Sequence, residues 1–573
     1  MKVSKKVIAV FALIMFSISF SNAQGLAMHW VHSYGSSASE WAEAVEHDNQ
    51  GNVYTTGHFQ GFADFDPSSG TNNIVSTGLY DIFVSKSDAQ GNVLWVRTVP
   101  CTQIASGDQG KSIDVDVDGN VYVSGLISMG SFDFDPGPNT YNLTPAGRST
   151  FVWKLDTDGN FVWAKILGST DYQTKAPIVV DQTDGVYISG YFQYTSDFDP
   201  GSGVNNLTNN GNYDCFLVKL DTAGNFVWAH SYGSTGYDEG NGICIDGLGN
   251  INLTGYYQGT INFNPGGSPV NLTASGTSDM FILNIAPSTG ETNWAVSVND
   301  ANGMGIVADN DNNLYVCGSH TGTSDFDPGA DVVTLSATNK DAFVLKLTQT
   351  GNFVWVKAVV DGSNECMAHA IDIDSEDNIY TTGSFKGSAD FDPDGSGVMN
   401  INSNGGRDIF ISNIDTSGSL VWVGTFGSTA PSTAYGEIGR GVSADLSNGV
   451  CVVGAYESTC DFDPDTSIIN STASGYEDIF LVRFYKAFVG LSENNAPAEL
   501  KLFPNPASEV LFVESTQLNT ILKLYNSQGK LEIEKSINGN SSISLESLES
   551  GTYYVVIDDG KIKTGHKVIV IDQ

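Results

Sequence analysis

Short apolar segments alternate with polar turns along most of the chain. Between residues 111 and 167, four segments rich in β-branched and aromatic residues follow one another: KSIDVDV, NVYVSGL, TFVWKLD and FVWAKIL. The joints VDGN and TDGN connect the first segment to the second and the third to the fourth, and they supply the Gly and Asn that tight hairpins need. The pattern predicts a unit of four antiparallel strands.

This unit recurs about every 65 residues, which is typical of a solenoid or a propeller. Recurring residues are a Trp in the fourth strand (Trp30, Trp95, Trp163, Trp228, Trp294, Trp355, Trp422) and a Gly in the second (Gly57, Gly125, Gly190, Gly255, Gly318, Gly383, Gly454). Trp30 precedes the first complete unit, whereas the last unit stops after its third strand. The predicted fold is an all-β, seven-bladed β-propeller with four-stranded blades, in which the N-terminal strand closes the last blade.

The repeated residues resemble the bacterial β-propeller repeat family. Its units read approximately D-x-x-GN-x-Y-x-x-G, then a D-x-F segment, then GN-x-x-W, and DVDGNVYVSG at 116–125 fits the first part. The resemblance covers about residues 28–486. It implies a propeller fold and does not imply an activity.

The two ends of the chain differ from the repeats. Residues 1–23 combine three lysines, an apolar run of 14 residues and a small-residue site, which predicts a cleaved secretory signal. The run is shorter than the roughly 20 residues of a membrane-spanning helix, so no membrane span is expected. Residues 24–486 are assigned to the propeller, 487–498 to a linker and 499–573 to a small β-sandwich.

Three motifs in the C-terminal part resemble the type A C-terminal sorting domain of type IX secretion. They are Pro504-Asn505-Pro506, LYNSQG at 524–529 and LESGTYY at 548–554. The resemblance implies that the domain engages the type IX secretion machinery and carries its cargo across an outer membrane. The cargo is then released or attached to surface lipopolysaccharide, so the protein is expected to be secreted or displayed on the outer cell surface.

The charge of the chain narrows the range of partners. The formal net charge is -39 at pH 7. Such a surface repels polyanions, so nucleic acid and anionic membranes are not expected to bind.

An Asp-Phe-Asp-Pro motif, or a variant of it, follows the second strand of every unit, with its phenylalanine at Phe65, Phe134, Phe198, Phe263, Phe326, Phe391 or Phe462. Paired carboxylates could bind calcium, form a catalytic pair or hydrogen-bond a turn. In the fourth unit the motif is Asn262-Phe263-Asn264-Pro265, which keeps hydrogen-bonding capacity but lacks the charge that favours metal binding. The structural interpretation is therefore preferred, no cofactor is predicted, and Ca²⁺ is the alternative.

One position varies from unit to unit at the start of the first strand. It is occupied by Glu43, Lys111, Pro177, Asn241, Met304, His369 and Arg440. Positions that stay the same serve the fold, so this row is a candidate ligand site, and its polar members Glu43, Lys111, Asn241, His369 and Arg440 are expected at the mouth of the central channel.

The predicted function is that of a binding or adhesion module for an extracellular glycan or protein. Lys111, His369 and Arg440 favour an anionic sugar or a peptide carboxylate as ligand. An extracellular polysaccharide lyase or hydrolase and a purely structural surface protein are the alternatives. No catalytic residue is predicted, because the chain lacks the Gly-x-Ser-x-Gly, His-Glu-x-x-His and phosphate-loop motifs.

Overall fold

The computed structural model describes residues 26–67, 72–101, 107–168, 175–181, 185–362, 364–392, 399–429, 436–445, 449–464 and 468–486, and in the C-terminal part 501–503, 510–514, 520–526, 531–537, 541–545, 548, 551–558 and 563–570. The predicted signal peptide (1–23) and linker (487–498) lie outside these residues. The described residues form strands and turns, as the prediction of an all-β protein requires. Within them, no helix has the length and apolarity needed to cross a membrane.

The strands of the repeat region are numbered in chain order. They are β1 Leu26–Tyr34, β2 Trp41–His47, β3 Val53–Phe59, β4 Phe62–Asp64, β5 Asn73–Val75, β6 Asp81–Ser87, β7 Val93–Val99, β8 Gln109–Val115, β9 Val121–Ile127, β10 Phe132–Asp133, β11 Asn142–Leu143, β12 Ser149–Leu155, β13 Phe161–Leu167, β14 Ile178–Asp181, β15 Gly185–Phe192, β16 Thr195–Asp197, β17 Asn206–Thr208, β18 Asp214–Leu220, β19 Phe226–Tyr232, β20 Glu239–Ile245, β21 Ile251–Tyr257, β22 Thr260–Asn262, β23 Asn271–Thr273, β24 Asp279–Ile285, β25 Thr292–Asn299, β26 Ala301–Ala308, β27 Leu314–Asp325, β28 Thr334–Leu347, β29 Phe353–Gly362, β30 Met367–Ile373, β31 Ile379–Asp390, β32 Asn400–Ile414, β33 Leu420–Ser428, β34 Ile438–Ala444, β35 Gly449–Tyr456, β36 Thr459–Asp461, β37 Asn470–Thr472 and β38 Asp478–Lys486.

The long strands pair in antiparallel groups of four, which we call units 1 to 7. Their strand orders are β2-β3-β6-β7, β8-β9-β12-β13, β14-β15-β18-β19, β20-β21-β24-β25, β26-β27-β28-β29, β30-β31-β32-β33 and β34-β35-β38-β1. In unit 7 the fourth strand is the N-terminal one, because β1 pairs with β38 from Leu26↔Lys486 to Tyr34↔Ile479. Short contacts such as Asp361↔Asp390 join units 5 and 6 into a larger sheet.

Neighbouring units are packed together by contacts that repeat along the chain. The first strands lie side by side in chain order, and β34 of unit 7 also lies beside β2 of unit 1. The indole Nε1 of Trp95 donates to the carbonyl of Thr157 in the next unit, at 3.2 Å. The same type of bond starts from Trp30, Trp163, Trp228, Trp294 and Trp355. The buried apolar residues of the repeat region form clusters that each combine two neighbouring units, so the core is divided among the interfaces between units.

The acidic motif after each second strand organises a turn. Asp133 Oδ1 accepts hydrogen bonds from the backbone N–H groups of Asp135 (3.1 Å) and Tyr141 (2.8 Å). Asn262 makes the same pair of bonds in unit 4, and the first residue of the motif does so in every other unit. The central phenylalanines are buried. Hydrogen bonding and packing thus explain why these residues recur, and an amide can replace the acid.

The C-terminal part has two sheets around one core. Strands β39 Lys501–Phe503, β40 Val510–Glu514 and β43 Ser541–Ser544 form one sheet, and β41 Thr520–Asn526, β42 Leu531–Ile537, β44 Gly551–Asp558 and β45 Lys563–Val570 form the other. Buried Leu511 and Ile543 from the first sheet meet Leu522, Leu524 and Val555 from the second. This arrangement is a β-sandwich.

Candidate ligand site at the start of the first strands

A β-bulge near the start of the first strand positions the variable residue in six units. The register against the second strand shifts on either side of Glu43, Lys111, Asn241, Met304, His369 and Arg440, so each of these residues lacks a partner in the ladder. A bulge changes the direction of a side chain. In unit 3 the position is held by Pro177, which has no N–H to donate.

The recurring glycine of the second strand makes room for this bulge. A Cβ on Gly57 would lie 1.9 Å from the carbonyl oxygen of Trp41, and one on Gly125 would lie 2.0 Å from that of Gln109. No side chain fits at such distances. The repeated glycine is therefore a sequence signal for the bulge opposite it.

All seven variable residues line one cavity of about 1120 Å³. Its wall is built from the first strands of all seven units, together with Lys175 and Tyr256. The structure thus brings together Glu43, Lys111, Asn241, His369 and Arg440, which the sequence placed in one row. We call the part of the cavity lined by Glu43, Lys111, Lys175, His369 and Arg440 the cationic opening.

Glu43 and Lys111 form an ion pair in this opening. Lys111 Nζ lies 2.7 Å from Glu43 Oε1, and the two side chains are 9 and 11 % exposed. Burial alone would raise the pKa of Glu43, but the charges of Lys111 and Arg440 outweigh it and lower the pKa to about 2. Burial also lowers the pKa of Lys111. The pair neutralises itself, so Lys111 is less available to an incoming anion than the sequence suggested.

Lys175 reaches across the cavity from unit 3. Its Nζ donates to the carbonyl oxygens of Met304 (3.0 Å) in unit 5 and His369 (3.2 Å) in unit 6. Burial lowers the pKa of Lys175 to about 8, so the group is still mostly protonated at pH 7. Lys175 is not among the residues predicted from the sequence. The sequence does mark this residue, because unit 3 has Lys175-Ala176-Pro177 at the start of its first strand, where most other units have small residues around the variable position.

His369 and Arg440 contribute polar atoms that have no hydrogen-bond partner. Both ring nitrogens of His369 are buried without a partner, and the side chain is only 6 % exposed. Burial lowers the pKa of His369 well below its usual value, and the charges of Arg440 and Lys175 lower it further, so the imidazole is neutral. Arg440 stacks on Trp41, with Cζ 4.8 Å from the ring centre, while its Nε has no partner.

Asn241 is satisfied within the protein. Its Nδ2 donates to Asn302 Oδ1 (3.2 Å) and to the carbonyl of Gly303 (3.1 Å). The site therefore has two kinds of predicted residue, those already paired (Glu43, Lys111 and Asn241) and those with unused donors or acceptors (His369 and Arg440).

Three residues further along the first strands, the cavity wall is acidic. Glu46, Asp114 and Asp372 line it there. Burial raises the pKa of both Asp114 and Asp372 to about 7, and the pKa of Glu46 is raised well above its usual value by burial and by Asp372. The cavity thus has its cations near the start of the first strands and these carboxyl groups three residues further along.

The arrangement suits an anion better than a metal ion. Lys175, Arg440 and the neutral ring of His369 can all donate hydrogen bonds to a carboxylate or sulfate, and charge-assisted bonds of this kind are the strong ones. Among the described residues, no group of three or more His, Cys, Asp or Glu is arranged to hold a metal ion.

The comparison with protein families identifies the C-terminal part. A family model described as a secretion system C-terminal sorting domain matches residues 501–571. The predicted sorting domain is thereby confirmed, and it implies interaction with the type IX secretion machinery. The protein is exported, either secreted or placed on the outer cell surface.

Similarity over the repeats is more distant. The chain is 23 % identical over 488 residues to an uncharacterized WD repeat-containing protein, L264, of Acanthamoeba polyphaga mimivirus, and the match covers 69 % of this chain and 34 % of that protein. The chain therefore spans about a third of the length of this relative.

Two solved structures are similar at low identity. PorZ, a surface component of the type IX secretion system of Porphyromonas gingivalis, is 11 % identical, with coverage of 92 % of this chain and 81 % of that one and a TM-score of 0.21. The quinohemoprotein alcohol dehydrogenase ADHIIG of Pseudomonas putida HK5 is 11 % identical, with coverage of 85 and 79 % and a TM-score of 0.35.

Proposed function

We propose that units 1 to 7 form a closed seven-bladed β-propeller over residues 24–486, preceded by a signal peptide at 1–23 and followed by a linker at 487–498 and the sorting sandwich at 499–573. Three contacts between unit 7 and unit 1 support closure. β34 lies beside β2, Trp30 bonds to the carbonyl of Ala89, and the buried Arg483 donates from Nη1 to the carbonyl of Gly51 at 3.0 Å.

On this scaffold the protein is a secreted or surface-displayed binding module for an anionic group, a carboxylate or sulfate of an extracellular glycan or peptide. One observation carries the proposal: Lys175, Arg440 and the unpartnered ring of His369 line the same cavity. Buried polar groups normally have partners, so unused ones in a cavity mark a place for a ligand.

Lys175 and Arg440 differ from a set of lysines that recurs in the repeat, and this difference supports a binding role for them. Lys86, Lys154, Lys219 and Lys346 occupy one position of the third strands, and each donates to a turn of the next unit. These cations serve the fold. Lys175 has no cationic counterpart in the other units. Arg440 has one in Lys111, which is paired with Glu43, so the repeat does not account for the charge of Lys175 or Arg440.

Binding would proceed by exchange of partners. An incoming carboxylate would take the ammonium of Lys175 from the two carbonyls it contacts and would meet Nε of Arg440 and the imidazole of His369. The Lys111–Glu43 pair would remain intact as the opposite wall. The negative charge of the rest of the domain makes this opening the favourable place for an anion.

An array of acidic glycans and peptides, probed with the mature protein, tests the proposal. We expect Lys175→Met and Arg440→Gln to weaken binding, whereas Lys165→Met, which removes a cation from β13 outside the cavity, leaves it unchanged. Circular dichroism of each variant reports folding. Equal binding by all three variants contradicts the proposal, and release of product from an acidic polysaccharide favours the lyase or hydrolase alternative.

A further inference from the structure

A pair of neighbouring tyrosines, one half-buried and one exposed, lies at the junction between units 3 and 4. Tyr213 immediately precedes β18, and Tyr237 comes two residues before β20. Their ring centres are 5.2 Å apart, and Tyr237 is 42 % exposed. The backbone holds the pair in place, because Tyr213 and Tyr237 form a bridge and the N–H of Asp238 donates to the carbonyl of Tyr213 at 3.0 Å.

The pair contacts a further tyrosine that is buried. The ring of Tyr213 lies 4.8 Å from that of the buried Tyr191. Burial raises the pKa of Tyr256, and nearby Glu239 and Tyr191 add to the effect. Tyr256 and Glu239 line the cavity together with Lys175, whose charge acts on Glu239. The pair also lies at the same end of the first strands as the cationic opening, because Tyr237 is two residues before β20 and Lys175 is three residues before β14.

The repeat does not require this pair. The equivalent bridges described at other junctions are Tyr80↔Gly107, Lys340↔Glu365 and Ser39↔Glu477. Among these described bridges, the one between Tyr213 and Tyr237 is alone in joining two aromatic residues. The fold therefore does not require aromatic residues at this bridge, just as it does not require particular residues in the variable row of the cavity.

We propose that the Tyr213–Tyr237 pair is a stacking platform for a sugar ring of an acidic oligosaccharide whose uronate carboxylate occupies the cationic opening. Aromatic faces pack against the apolar faces of pyranose rings, and phenolic hydroxyls can bond to sugar hydroxyls. This inference rests on the proposed anion site and selects a saccharide over an acidic peptide. It also predicts that affinity rises with chain length, because a single uronate can fill the opening without reaching the tyrosines.

Calorimetry with three probes tests the inference on the full-length mature chain. The probes are galacturonic acid, tetragalacturonate and tetraglutamate. We expect Tyr237→Ala to weaken tetragalacturonate binding about fivefold to tenfold, the scale of one lost aromatic contact, and to leave the other two probes unaffected. Tyr237→Phe keeps the ring but lacks the hydroxyl, so it should retain most of the affinity that Tyr237→Ala loses. Tyr80→Ala removes the counterpart of Tyr213 in unit 1 and is the control for loss of a tyrosine at another junction between units.

The outcomes separate the platform from the anion site. Equal effects of Tyr237→Ala and Tyr80→Ala on tetragalacturonate, or an equal effect of Tyr237→Ala on tetraglutamate, overturn the platform. A wild-type protein that binds tetraglutamate but not tetragalacturonate overturns the saccharide inference while the anion site stands. A protein that binds none of the three probes overturns both.

Discussion

The indole Nε1 of Trp30 donates a hydrogen bond of 3.2 Å to the backbone carbonyl of Ala89. Trp30 belongs to the N-terminal strand of unit 7, and Ala89 lies in a turn of unit 1. The bond thus joins the two ends of the repeat region in the same way that Trp163 joins unit 2 to unit 3 through the carbonyl of Thr222.

Closure can be tested by comparing these two tryptophans. Trp30→Phe and Trp163→Phe each remove one hydrogen bond and keep an aromatic ring. If the ring of units is closed, both should lower the free energy of unfolding by about 1 kcal/mol, measured by urea denaturation. A loss for Trp163→Phe with no loss for Trp30→Phe would show that unit 7 does not bond to unit 1.

The acidic motif should tolerate an amide but not an apolar residue. Asp133→Asn is expected to leave stability nearly unchanged, as Asn262 makes equivalent bonds in unit 4. Asp133→Ala leaves two backbone N–H groups without their acceptor and should cost about 1–3 kcal/mol. Differential scanning calorimetry measures both variants.

Calcium binding to the acidic motif can be tested by the same calorimetry. A ligand at 100 times its dissociation constant stabilises by roughly 2.7 kcal/mol, which would be evident as a rise in melting temperature. We expect no such rise between chelator and millimolar Ca²⁺. A rise that disappears in the Asp133→Asn, Asp135→Asn double variant would favour the calcium interpretation.

Breaking the buried ion pair should destabilise the protein strongly. Lys111→Met leaves the carboxylate of Glu43 buried beside Arg440 alone, and loss of one partner of a buried pair costs about 3 kcal/mol. The double variant Lys111→Met, Glu43→Gln should recover most of that loss, because it removes the unpaired charge. Urea denaturation of wild type, Lys111→Met, Glu43→Gln and the double variant gives the coupling energy. A double variant no more stable than Lys111→Met would contradict the prediction.

Stability should fall as pH rises from about 5 to 8. The folded protein holds protons on Asp114 and Asp372, whose pKa values are about 7, while the unfolded chain has released them near pH 4. Where the native state binds more protons than the unfolded state, the free energy of unfolding decreases with pH. Asp372→Asn should flatten this decline by about 2 kcal/mol, and Asp118→Asn, at an exposed turn, should not. If the free energy of unfolding has the same pH dependence in both variants and in wild type, Asp372 is not a source of the decline.

The repeat shows which parts of the site a sequence can reveal. The recurring glycine and the varying residue beside it are both periodic signals, and the structure explains them together as a bulge whose side chain turns into the cavity. The row containing Glu43, Lys111 and Arg440 could therefore be read from the alternation of constant and variable positions.

The pairing of side chains could not be predicted from the repeat pattern. Lys111 appeared as a free cation, yet it is neutralised by Glu43 in the neighbouring unit. Lys175 lies outside the row and reaches the cavity because its long side chain crosses to the carbonyl of His369, 194 residues away. Such contacts depend on the three-dimensional arrangement of the units and have no periodic trace in the sequence.

An anion bound among Lys175, His369 and Arg440 would lie beside the imidazole of His369, so this ring reports on binding at the site. The measurement is the ¹⁵N spectrum of histidine-labelled protein titrated with galacturonic acid, with the His369 signals assigned by their absence in His369→Gln. We predict that the ring nitrogens of His369 shift on binding and that its pKa rises, since a bound anion favours the protonated ring, while His230 on β19 is unaffected. Saturable binding of galacturonic acid, detected by calorimetry, that leaves the His369 signals unchanged would contradict an anion site at these residues.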